Sequence, residues 1–239
     1  MARTSIKAVK AGSSRYKQLR AKQAVARASA YLRGRAPPAN RGFWGVGSQR
    51  GRDELKTIDT GTVTYAANDP TNGNFTLLNG VATGTDYTNR IGRKVIMKSL
   101  LIRGQFYNLS TGSDSNGDLL RLMVICDEQP NGAAPIITDI LQTADHLAPL
   151  NLNNRGRFKV LYDKMLNMPA WTTSAGALVN GSPRIAYAKI FKKMTVPVIF
   201  NGTGSTVGSI QTNSVYIVTL ATNNQTAFSF NSRIRFMDS

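Results

Sequence analysis

Thirteen lysines and arginines stand in the first 52 residues: Arg3, Lys7, Lys10, Arg15, Lys17, Arg20, Lys22, Arg27, Arg33, Arg35, Arg41, Arg50 and Arg52. No Asp or Glu is among them, and the first acid is Asp53. The chemistry this pattern can do is the binding of phosphate. Each cation that meets a polyanion releases a condensed counterion, while in isolation the segment repels itself. The chain carries a net charge of +17, so residues 1–52 hold +13 of it and residues 53–239 hold 17 − 13 = +4. The rest of the chain is expected to be whatever holds this arm in place.

The residue types that run enzymes are sparse. His146 is the one histidine; beside Asp145, it reads as an incidental surface residue. Cys126 is the one cysteine, which excludes an internal disulfide framework and, with a single histidine, the usual zinc sites. No P-loop is present, and the glycine-rich pieces read as turns. Thirteen acids in all offer no evident carboxylate pair, and Asp127-Glu128 read as a solvated strand end. Asp114–Asp118 resembles a calcium loop, but its glycine is misplaced and Ile125 stands where the closing Glu belongs. The expectation is a protein that is not an enzyme and needs no cofactor or metal. No apolar run is long enough for a membrane span, and the N-terminus has no apolar signal region, so no membrane insertion is expected.

The elements that must position the cations fall into two parts. Residues 14–33 have helix-forming composition, ended by Gly34 and Pro37-Pro38, with a solvated coil as the alternative. Phe43 and Trp44, set among arginines, would either stack on bases or anchor the linker. From Asp53 onward short strands alternate with Gly/Asn/Pro/Ser turns, the pattern of a sandwich or barrel. Residues 119–126 (LLRLMVIC) read as a nearly continuous buried strand. Residues 135–147 allow one or two helical turns around 136–142. Residues 187–200 read as a strand pair or one long bent strand, in which Pro197 implies an edge or a bulge. In the last strand Phe228, Phe230, Ser232, Ile234 and Phe236 share one face, and Arg233 and Arg235 the other. About eight strands result, and too few helical segments separate them for a parallel α/β sheet.

Lys98, Arg103, Arg121, Lys189, Lys192, Lys193, Arg233 and Arg235 lie on these predicted strands. Solvated faces and strand edges account for such residues as well as a binding surface does. Arg233 and Arg235, two apart on one face, are the best pair for a surface turned to nucleic acid. No finger, RNP or helix-turn-helix signature appears, so the binding expected is by phosphate charge, salt-dependent and tolerant of sequence.

A basic, acid-free arm ahead of an eight-stranded β-domain resembles the coat protein of a small icosahedral virus. The chain is most similar to the capsid proteins of circular, Rep-encoding single-stranded DNA viruses, the circovirus-like (CRESS) group. The resemblance is carried by ELKTIDT (54–60), IGRKVIMKSLLIRG (91–104), LLRLMVICDEQ (119–129), RFKVLYD (157–163) and 228–237. Coats of small satellite RNA viruses are similar enough that DNA and RNA both stay open as the genome.

The resemblance implies an all-β fold, a single eight-stranded jelly roll in two four-stranded antiparallel sheets (53–239) behind a flexible basic arm (1–52). It places strand B at 54–66, C at 93–108, D at 118–128, E at 156–166 and F at 187–200. Strand G would be near 204–211, H at 214–222 and I at 226–237. It further implies a viral structural protein that is its own partner in a T=1 shell of about sixty copies, the arms inside on single-stranded DNA. Sixty arms would carry roughly 780 positive charges (about 60 × 13), enough for a genome of that order in nucleotides. The loops 67–91, 109–117, 129–156 and 167–186 would make subunit contacts and the outer surface. The clusters of the arm would also serve as a nuclear localization signal read by a host import receptor, so the protein is expected in the virion and, during assembly, in the host nucleus. Two rivals remain: a basic-tailed ribosomal or mitochondrial nucleoprotein, which would not form closed particles, and a jelly-roll hydrolase behind a cleaved transit peptide, which would show a polar cleft.

Overall fold

The computed structural model describes residues 55–108, 117–169, 173–174, 177–178 and 185–238. The arm, the possible helix at 14–33 and Phe43 and Trp44 lie outside the described residues.

Two antiparallel sheets carry the fold. The first orders β1 (Leu55–Tyr65), β11 (Thr226–Asp238), β3 (Lys94–Asn108), β8 (Ile185–Phe200) and the short β9 (Ile210–Thr212). The second orders β2 (Asn74–Leu77), β10 (Ser214–Ala221), β4 (Asp118–Asp127) and β5 (Phe158–Met168). Strands distant in sequence are neighbours in both sheets, and β1 lies against β11 at the two ends of the described chain. This is the jelly-roll order B-I-D-G facing C-H-E-F. A two-residue ribbon pairs β6 (Thr173–Ser174) with β7 (Ala177–Leu178).

The strand lettering expected above needs correction. Strand C is β2, four residues inside what reads as the 67–91 loop. Strands D, E, F and G are therefore β3, β4, β5 and β8, each one letter later than expected. The segment near 204–211, expected as G, is a 3-10 turn (Val207–Ser209) leading into β9. Asn74–Leu77 is too short to show a period, and the turn residues around it mask it. Pro197 lies near the sheet edge as expected: β9 pairs with β8 at Ile199 and Phe200, so the missing N–H costs no ladder bond there.

Between the sheets lies the main core, which includes Phe106, Phe200, Phe228, Phe230, Phe236, Leu120, Leu122 and Ile217. Phe106 stacks on Phe228 with centroids 4.1 Å apart, and Phe228 on Phe230 at 5.2 Å. Gly104 admits these rings. A methyl group there would come within 2.6 Å of Phe228 and 2.9 Å of Phe230 Cβ, an overpacking that costs about 1–3 kcal/mol.

A second apolar cluster covers the far face of the second sheet. Met123, Ile125, Tyr216, Val218 and Leu220 meet Ile137, Ile140, Leu141 and Ala148 from the connection between β4 and β5. That connection includes α1 (Ile137–Ile140), a single helical turn where one or two were expected. All eight residues of β10 are buried, and nine of the ten in β4, because both faces of these strands are packed. The far face of the first sheet has no such cover among the described residues, and β11 shows it: Asn231, Arg233 and Arg235 are exposed between buried neighbours.

Candidate nucleic-acid interface

The bare face is assembled in rows across four strands by the ladder register. The first row is Tyr187, Gln105, Ser229 and Thr64. Lys189, Arg103, Asn231 and Thr62 make the second, and Phe191, Leu101, Arg233 and Asp59 the third. Lys193, Ser99, Arg235 and Thr57 make the fourth. Successive rows are about 6.8 Å apart, two residues along a strand, and columns are about 4.8 Å apart.

Arg233 and Arg235, the pair singled out in the sequence, are both exposed on this face. Arg103, Lys189 and Lys193 join them. Lys98 sits half-buried at the β3 irregularity between Met97 and Ser99. Lys192 pairs with the inward Leu100 and so lies on the other side of β8. None of the thirteen arm cations is among the described residues.

Arg121 is a correction. It is 7% exposed on β4, in the other sheet. Its Nε and Nη2 donate to Asp163 at 2.9 and 2.6 Å, and its Nη1 donates to the carbonyls of His146 and Ala148 at 3.1 and 2.6 Å. It is a clamp that fastens the covering connection to its sheet, unavailable to a phosphate. His146 is corrected with it. The residue is 8% exposed, with Nδ1 2.9 Å from Asp145 Oδ1 and Nε2 3.3 Å from the Thr222 hydroxyl. Asp127 is not a solvated strand end either: it is fully buried and accepts two bonds from Arg157, at 2.9 and 2.8 Å. In each case at least one partner arrives from a distant segment, which no local pattern announces.

Asp59 is the one acid on the bare face among the described residues. It accepts from Arg233 Nε and Nη2 at 2.7 and 2.6 Å. The bonded guanidinium holds the Asp59 carboxyl below the usual range, and the carboxylate raises Arg233 in turn. Both partners are about half exposed, so the pair adds little to stability. Its effect is to neutralise one of the cations. Lys189 and Arg103, by contrast, stand directly opposite each other across the β8–β3 ladder. Like charges in that position destabilise the sheet, a conflict that a polyanion placed there would relieve.

Two adjoining depressions mark the face. One of about 410 Å³ is lined by Asp59, Gly61, Leu101, Arg103, Asn231, Ser232 and Arg233. The next, about 280 Å³, shares Arg103 and Asn231 and reaches Tyr187. Tyr187 and Phe191 are 78% and 59% exposed and were not among the residues read from the sequence as candidates. The signal was present: Tyr187, Lys189, Phe191 and Lys193 alternate aromatic and cation at every second position of one strand. It is legible once 185–200 is taken as one strand rather than two.

Asp59→Asn tests the electrostatics of the face. Freeing Arg233 is expected to tighten full-length protein on a single-stranded oligonucleotide and to steepen the log K against log salt slope by about 0.7. An unchanged slope in a salt titration would show that this face makes no phosphate contact at Arg233.

Among the described residues no helix is long and apolar enough to cross a membrane. No group of three or more His, Cys, Asp or Glu among them is placed to hold a metal. Compared with known proteins, the chain matches no curated sequence. It is similar in structure to the capsid protein of BFDV, solved as a 60-mer, with 12% identity, 77% of this chain and 93% of that chain covered, and a TM-score of 0.31. The family model described as satellite tobacco necrosis virus coat protein matches residues 54–239, which is most of the chain and the whole of the β-domain. The protein is therefore a viral coat protein, structural rather than enzymatic, and it belongs to the satellite tobacco necrosis virus coat protein family.

Proposed function

We propose that the chain closes on copies of itself into a small T=1 shell of about sixty subunits, turns its bare sheet face inward, and packages single-stranded DNA on residues 1–52. The observation that carries this reading is a coincidence of sign. An acid-free arm of +13 precedes a coat-family domain, and the sheet face left uncovered among the described residues bears Arg103, Lys189, Lys193, Arg233 and Arg235 against the single acid there, Asp59. The covered face of the opposite sheet carries the β4–β5 connection, whose Ile136, Leu147 and Leu152 remain exposed. Those side chains suit contacts with neighbouring copies or the outer surface.

A second reading, a single-stranded RNA genome, stays open through the resemblance to satellite-type coats. Extraction of nucleic acid from purified particles followed by DNase or RNase decides between them. DNase-sensitive single strands are expected. RNase-sensitive strands establish the second reading, and a protein that forms no particles, or only empty ones, refutes both.

The same arm is proposed to direct the chain to the nucleus of the host before it is built into the virion. Residues 1–52 fused to a fluorescent protein are expected to concentrate several-fold in nuclei. A fusion spread evenly through the cell would overturn that role.

A further inference from the structure

We propose that β8 is a stacking strip: Tyr187 and Phe191 each hold a base of single-stranded nucleic acid, Lys189 and Arg103 hold the phosphates between them, and Lys193 and Arg235 those beyond Phe191. This rests on the packaging reading above and goes further, because it places an ordered stretch of strand on the folded domain instead of on the arm alone.

The pattern along β8 carries the argument. Tyr187, Lys189, Phe191 and Lys193 occupy the same side of the strand at every second residue. Two exposed rings therefore stand about 13.6 Å apart with a cation between them and another beyond. Arg103 backs Lys189 from β3, and Arg235 lies in the row of Lys193. Each ring thus has cation-bearing rows beside it, the arrangement by which single strands are bound with little sequence preference.

Exposed aromatics of this size, 78% and 59% open, would be costly on a face meant only for water. A second copy docked through this same face would set like charges against like, and the acid-free arm carries the same sign as the face. A polyanion with accessible base faces fits both features. A duplex does not, because its bases are already stacked on one another, so the strip selects single strands.

The test uses full-length particles formed with an oligodeoxynucleotide carrying 5-iodouracil. After irradiation, adducts are expected at Tyr187 and Phe191. Adducts confined to residues 1–52 would overturn the strip while leaving the packaging reading intact; particles that take up no oligonucleotide would defeat the packaging reading itself. Tyr187→Leu/Phe191→Leu keeps the apolar surface and removes the ring faces. It is expected to leave particle yield unchanged and to weaken oligothymidine binding roughly 10-fold or more at a salt concentration that suppresses the arm. The exchange Tyr187→Phe/Phe191→Tyr is expected to retain binding. Unchanged affinity in the leucine variant, or loss of particles in it with binding intact, would overturn the inference and assign the strip to contacts between copies.

Discussion

Deleting residues 1–52 is expected to give particles that hold about a quarter or less of the normal nucleic acid. The full chain brings +17 to the shell and the remainder +4, so the positive charge available for neutralising a genome falls to 4/17. Binding driven by counterion release scales with the phosphates neutralised. The domain meanwhile loses nothing that its described core uses, since the aromatic stack and the covered second sheet lie within 55–238. The absorbance ratio at 260 and 280 nm of purified truncated particles reads the result. Nucleic acid equal to that of the full-length particle would mean that the arm is not the packaging element.

Reversing the charge of the bare face should have the next largest effect. Arg103→Glu, Lys189→Glu, Lys193→Glu and Arg235→Glu together remove four phosphate partners and take the domain from +4 to 4 − 8 = −4. The salt slope for a single strand is expected to fall by about 3, from about 0.7 per contact, with the arm left unaltered. Lys189→Glu alone separates function from stability. It converts a like-charge pair with Arg103 into an opposite pair, which stabilises a sheet by about 0.2–1 kcal/mol. The variant is expected to melt slightly higher and to bind more weakly. A lower melting temperature together with unchanged binding would show that Lys189 serves the fold and not the ligand.

Much of this arrangement can be read in the chain, and the parts that cannot share a cause. The alternation Phe228, Phe230, Ile234, Phe236 against Arg233, Arg235 announces a strand with one wet face. The apolar run of LLRLMVIC, interrupted only by Arg121, announces a buried strand, and the structure covers both faces of it. Asn74–Leu77 escaped because four residues cannot display a period, and missing it moved every strand letter from C to G. Arg121, His146 and Asp127 were misjudged because their burial depends on a connection that folds back from residues 137–157. A cation on a strand looks the same whether water or a carboxylate from 42 positions away awaits it. The alternation of Tyr187 and Phe191 with cations becomes legible only where 187–200 is one continuous strand and not a pair.

Single-particle electron microscopy of the purified full-length protein shows whether the chain closes into a shell and which sheet faces inward. Closed particles of uniform size, about sixty subunits each, are expected, with the sheet of β1, β11, β3 and β8 lining the interior and Arg233 and Arg235 turned toward the genome. Protein that stays monomeric at every salt concentration, or a shell with that sheet on its outer surface, would contradict this expectation.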